Sequence, residues 1–192
     1  MATAPPKPRA TRADAVRNRA RVLEAARRCM ARRGLDVQMD EVAKAAGVGV
    51  GTVYRHFPTK DELIEALAAA RFVRLAEIAD DALEDADAWN GFVSFMRASA
   101  EIQKEDRALS EVLVSRPGTM RRAAESVDML ARVSRVIGRA QEAGAVRADA
   151  QPEDIPMVMC ALAGACNHPT SDPDRYIGIV IDGLRAPGST AL

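Results

Sequence analysis

The chain has 192 residues, 48% of them apolar and 28% charged, and its 27 Lys+Arg balance 27 Asp+Glu. That mix excludes wholesale disorder, and an aromatic content of only 4% argues against an all-β fold, which would be richer in Tyr, Phe, Thr and Ile. No run of 18 apolar residues suggests a membrane span, the N-terminus has no apolar secretory stretch, and Cys29, Cys160 and Cys166 make no disulfide framework, so a reduced cytoplasmic protein is expected.

The zero net charge hides a split. Residues 1–60 hold 13 Lys+Arg and 5 Asp+Glu, whereas residues 61–192 hold 14 and 22. A basic N-terminal third on an acidic body suggests that one end meets a polyanion.

In chain order, residues 1–13 are Pro-rich and basic and read as a flexible arm. A helix is expected from Asp14, with Val16, Ala20, Leu23, Ala26 and Met30 as its apolar face and Gly34 as its left-handed cap. Two short helices follow, about 39–46 and 50–56, divided by Gly47. Thr59 three residues before Glu62 has the spacing of a capping box and opens a long helix toward Glu84. Further helices are expected near 88–104, 106–115, 119–143, 152–166 and 173–185. Pro152 and Pro173 are placed at first helical positions, the latter behind Asp172 as N-cap. The result is an all-α fold of about nine helices, with no convincing strand alternation and no internal repeat.

The stretch Met39 to His56 reads as helix, turn, helix. Val42 and Ala46 share one face of the first helix, and Val53 and Phe57 share one face of the second. Ala43 is small where helices cross, Gly47 supplies the sharp turn and Val48 fills the gap between the helices. This spacing suits a helix-turn-helix whose second helix enters a DNA major groove, and an ordinary helical hairpin is the plainer alternative. Thr52, Tyr54, Arg55 and His56 cluster hydrogen-bond donors on the exposed side of that second helix, and Lys60 stands at the start of the next.

The segment Asp40 to Leu63, DEVAKAAGVGVGTVYRHFPTKDEL, resembles the DNA-binding region of TetR-type transcriptional regulators, above all in its Tyr54-to-Lys60 run. Ala140 to Ala163 more weakly resembles the C-terminal part of an actinobacterial subgroup of that family. The resemblance implies an all-helical homodimer that binds double-stranded DNA at a palindromic operator and represses transcription until a small-molecule effector binds its C-terminal domain. It implies domains at 14–60 for DNA binding and 61–186 for ligand binding and dimerisation, with a tail at 187–192. By position, Thr52, Tyr54, His56 and Lys60 match family positions that usually meet phosphates, and Val50, Gly51 and Arg55 match positions near base edges. Three residues depart from the pattern. Gly49 stands where Ser or Thr usually caps the recognition helix, Val50 where a polar or basic residue is common, and Gln38 in place of the more usual Thr. Direct readout is therefore expected to be thin, with Val50 against a thymine methyl and Arg55 toward guanine. Lys7, Arg9 and Arg12 are expected to add minor-groove or phosphate contacts, unless the arm is an idle tail.

In the C-terminal body, Ile155–Ala165 and Tyr176–Leu184 are apolar nearly all round and must be buried on several sides. Either they form one subunit's core or, as the resemblance implies, they pair with a twin through Met159, Leu162, Ala165, Ile177, Val180 and Ile181. Trp89, Phe92, Phe95, Met96, Met120 and Met129 are candidates for a ligand pocket, with simple core packing as the alternative. No catalytic constellation, zinc spacing or phosphate loop is present, so neither an enzyme nor a metal or other cofactor is expected. The alternative function is a helical small-molecule-binding or interaction protein with a degenerate DNA-binding motif.

Overall fold

The structure, a computed structural model, describes residues 12–166 and 172–188. The arm residues Lys7 and Arg9, His168 and the end of the tail lie outside them. The chain divides between Leu63 and Ile64 into two compact units.

The first unit contains α1 (Arg12–Arg33), a 3-10 turn (Gly34–Asp36), α2 (Met39–Ala46) and α3 (Val50–His56). The opening turn of α4 (Lys60–Glu84) also belongs to it. Its core is formed by Val22, Ala25, Ala26 and Met30 of α1 with Val42, Ala46, Val53 and Phe57. The buried face of α1 differs from the expected one, because Val16 and Ala20 are exposed and Leu23 is half-buried. Val22, Ala26 and Met30 fall at four-residue steps along one face. At about 100° per residue, Val16 and Ala20 lie well over 100° from Val22 around the helix. Small apolar residues are scattered around most of α1, so spacing alone was ambiguous.

The second unit contains the rest of α4, then α5 (Ala88–Glu105), α6 (Arg107–Ser115), α7 (Pro117–Glu125), α8 (Met129–Glu142), α9 (Asp154–Ala165) and α10 (Pro173–Leu184). Helices α8, α9 and α10 all pack against α5, which carries Phe92, Phe95, Met96 and Ala100 into the core. Ion pairs tie the rim: Arg132 of α8 donates to Asp80 of α4 at 3.1 Å, and Lys104 of α5 to Asp174 of α10 at 2.8 Å. Among the described residues there is no strand, only an isolated bridge between Val146 and Arg185. No described helix is long and apolar enough to cross a membrane.

The described residues form ten α-helices rather than about nine, because the single helix expected over 119–143 is two. Val127 and Asp128 donate their N–H groups three residues back, to Ala124 and Glu125, which tightens the end of α7. Asp128 then adopts a left-handed conformation, φ 53°, and α8 starts afresh. Arg132 holds this corner by donating to the Val127 carbonyl. Pro117 is the first residue of α7, where its missing N–H costs nothing. Pro152 is not at the first helical position, because α9 begins at Asp154. Pro173 does open α10, and Asp172 caps it by accepting the Arg175 N–H at 3.0 Å.

Candidate functional sites

In the first unit, α2 ends in a left-handed glycine. Gly47 has φ 65°, its N–H donates to Lys44 O at 3.2 Å, and the Val48 N–H donates to Ala43 O at 3.1 Å. This paired closure turns the chain sharply and launches α3. Helix α3 then buries Val53, and Phe57 is buried just beyond it. The Arg19 guanidinium lies over the Phe57 ring, 5.2 Å from its centroid. With that face anchored, the opposite face must point outward. Val50 and Tyr54 are 45% and 48% exposed, Gly51 and Arg55 are exposed, and Thr52, His56 and Lys60 are half-buried. Of the residues expected at DNA, Val50, Gly51, Thr52, Tyr54, Arg55, His56 and Lys60 thus lie on α3 or within four residues of its end, and Arg12 opens α1.

Two of the three departures noted in the sequence stand at helix N-caps. Gly49 is the extended N-cap of α3 with no side-chain cap, and its carbonyl accepts the Thr52 N–H at 2.8 Å. Gln38 precedes α2, and Glu41 reaches back to accept the Gln38 N–H at 2.9 Å while also pairing with Arg33. The bond from the Gln38 backbone, then the Arg33 charge, holds the Glu41 carboxyl below its ordinary range. Thr59 accepts the Glu62 N–H at 3.1 Å and caps α4.

The second unit holds a partly open cavity of about 210 Å³ among α4 to α9. Its walls are largely apolar, including Phe72, Leu75, Leu113 and Val133. Of the six residues expected at a pocket, Phe95, Met120 and Met129 line it. Trp89, Phe92 and Met96 do not: Phe92 and Met96 are fully buried in the core, and Trp89 packs on Phe92 with Arg185 4.9 Å over its ring.

One wall is polar, and sequence reasoning missed it. Arg71 is only 7% exposed. It donates to Ser110 at 2.7 Å and to Gln103, while Gln103 donates to Met159 O at 2.7 Å. Burial pushes the Arg71 guanidinium down to about 10, against the opposing pull of Asp106, so it stays charged at neutral pH. Ser99, also on this lining, is 3% exposed, and among the described residues its Oγ has no hydrogen-bond partner. A signal existed: Leu67, Arg71 and Leu75 recur at four-residue steps, which puts a guanidinium on an apolar stripe. Ser99 and Gln103 likewise continue the stripe begun by Phe92 and Phe95.

The residues expected at a dimer interface divide. Leu162, Ile177 and Ile181 are buried in the unit's own core, Met159 lines the cavity, and Ala165 and Val180 are half-buried. The outward face of α9 instead carries Met157, 70% exposed, with Ala161 and Gly164, and that of α10 carries Ile179, 60% exposed, with Gly183. Among the described residues no group of three His, Cys, Asp or Glu side chains is placed to hold a metal ion.

Comparison with known proteins fits both units. Residues 22–67 match the family of bacterial regulatory proteins called tetR, and residues 87–186 match the C-terminal domain of SbtR-like transcriptional regulators. A TetR transcription regulatory protein from Mycobacterium vanbaalenii is 38% identical, with 91% of this chain and 98% of that one covered and a TM-score of 0.69.

The chain belongs to the TetR family.

Among curated TetR-type relatives, the transcriptional repressor KstR of Mycobacterium tuberculosis is 36% identical over 92 residues, 47% of this chain and 40% of that protein. The regulator SAB2452 of Staphylococcus aureus is 42% identical over 53 residues, 27% of this chain and 29% of that protein. The chain therefore matches well under half the length of these two curated proteins. The TetR-type resemblance read from Asp40 to Leu63 and the all-helical fold class are both found here.

Proposed function

We propose that this chain is a sequence-specific, DNA-binding transcriptional regulator, a repressor released by a small-molecule effector. One observation carries the proposal: α3 buries Val53 while Val50, Gly51, Tyr54 and Arg55 stand outward as one continuous edge. A short, anchored helix with such a face suits a major groove. Arg55 and Val50 are assigned to base edges, and Thr52, Tyr54, His56 and Lys60 to phosphates.

A homodimer presents two such helices about 34–36 Å apart, one turn of DNA, and so recognises a palindromic operator. We assign the twin contact to the outward apolar faces of α9 and α10, where Met157 and Ile179 are exposed, rather than to Leu162, Ile177 and Ile181. The cavity of the second unit is assigned to the effector. An effector releases DNA only by binding two states of the protein unequally, and about 1–3 kcal/mol of such coupling is the usual scale.

Selection of bound DNA from random duplexes by the purified protein, at stated salt, tests the proposal. An enriched palindrome is expected. Weak binding without enrichment, lost as salt rises, would favour a degenerate motif on a ligand-binding protein.

A further inference from the structure

We infer that the cavity lined by Arg71 and Ser99 takes a small apolar carboxylic acid, its carboxylate meeting the Arg71 guanidinium and the Ser99 hydroxyl. The inference rests on assigning that cavity to the effector, and it adds the chemical class.

Three observations converge. First, the cavity places its polar groups on one wall. Phe95, Ser99 and Gln103 follow one another at four-residue steps along α5, facing Phe72, Leu75 and Val133. Second, Arg71 is a buried cation whose direct partners, Ser110 and Gln103, are neutral. These bonds use two of the five N–H groups that a guanidinium carries. Asp106 draws Arg71 toward the charged state, but desolvation outweighs it and Arg74 opposes it. An anion in the cavity would supply charge that this wall lacks. Third, Ser99 Oγ is buried with no partner among the described residues, an exception that buried hydroxyls seldom show unless a further group completes them. A carboxylate is an acceptor for a guanidinium and for a hydroxyl alike. An amide or alcohol of the same shape brings no charge to Arg71.

Size limits the body of the ligand. A dry apolar cavity of roughly 150 Å³ accommodates benzene. The 210 Å³ here suits one ring, or a short branched chain, plus the acid group.

The full-length protein, free of DNA, is titrated calorimetrically with benzoate, 3-phenylpropionate and hexanoate, and with the primary amide of each. At least one acid is expected to bind, and to exceed its amide by about tenfold or more, the scale of one charge-assisted hydrogen bond. Arg71→Met keeps the bulk of the stem and is expected to abolish that preference. Ser99→Ala removes a hydroxyl that the unliganded fold leaves unpaired. It should leave the unliganded melting temperature unchanged or higher while weakening the acid by about three- to tenfold. Because Ser99→Ala does not disturb the Arg71 bonds, it keeps the test decisive even if Arg71→Met fails to fold. Amides that bind as well as acids, full acid affinity in Ser99→Ala or Arg71→Met, or no binding of any acid at millimolar concentration would each overturn the proposal. A protein that selects a palindrome but ignores the acids loses this proposal alone. One that binds an acid but selects no DNA loses the regulator assignment alone.

Discussion

Arg71 on α4 donates to Ser110 on α6 across 2.7 Å, and both side chains are buried. Gln103 of α5 accepts from both and donates onward to α9, so four helices meet at one cation. Replacing Gln103 by Leu removes an acceptor from Arg71 and leaves buried donors unmatched. A loss of about 1–3 kcal/mol is expected, the cost of unsatisfied buried polar groups. Urea denaturation measures it, and an unchanged midpoint would show that water or another group replaces the amide.

Gly91 marks a close crossing of a different kind. A Cβ there would stand 2.3 Å from the Ala82 carbonyl oxygen, which Arg139 also binds at 3.2 Å. Backbone cannot yield as a flexible side chain does. Gly91→Ala should therefore destabilise the second unit by about 1–3 kcal/mol, the usual cost of overpacking. A thermal melt equal to that of the wild type would contradict this contact.

Gly47 and Gly49, at the two ends of the turn between α2 and α3, should behave in opposite ways. Gly47 has φ 65°, and a Cβ on it would meet Arg21 Nη2 at 3.0 Å. Gly47→Ala is expected to cost about 1–2 kcal/mol through the left-handed backbone. Gly49 is extended, and a Cβ there meets no atom of the described residues within 4 Å. Gly49→Ser should add the missing cap to α3 and stabilise it by about a few tenths of a kcal/mol. If DNA lies against this end, the same serine also tightens binding by reaching a phosphate. Chemical denaturation and DNA titration of both variants check the pair.

Glu41 gives the first unit an acid sensitivity. Its carboxyl is held below the ordinary 4.5 by the Gln38 N–H and then by Arg33, so the folded state binds its proton less readily than the unfolded state. Its stabilising contribution is therefore complete above pH 4.5 and is lost as pH falls through the lower folded value. Glu41→Gln should lower stability at neutral pH and flatten the acid limb of the stability curve. A parallel acid limb in both proteins would assign the effect to another carboxylate.

The first unit was largely legible in the sequence, and the second only as a succession of helices. Gly47, Val53 and Phe57 carry local information, because a left-handed turn and two apolar residues four apart constrain geometry almost by themselves. Residues 126–128 carry none of that kind. Ser, Val and Asp neither forbid a helix nor demand a turn, and the corner is held by Arg132, which donates to the Val127 carbonyl and pairs with Asp80 on a distant helix. The cavity was half visible. Phe95, Met120 and Met129 are bulky and adaptable, the residue types that line apolar pockets, whereas Arg71 and Ser99 gain their meaning only from burial. Leu162, Ile177 and Ile181 show the same limit. Apolar residues announce burial, but not whether the chain's own core or a twin covers them.

The most direct measurement is the affinity for the selected duplex across a range of salt, made on the wild type, Lys60→Gln and Arg55→Ala. If α3 reads DNA, Lys60→Gln weakens all sequences alike and lowers the log–log salt slope by about one, while Arg55→Ala costs about 1–3 kcal/mol and relaxes preference at one base pair. Wild-type affinity, slope and preference in both variants would contradict the assignment of this helix to DNA.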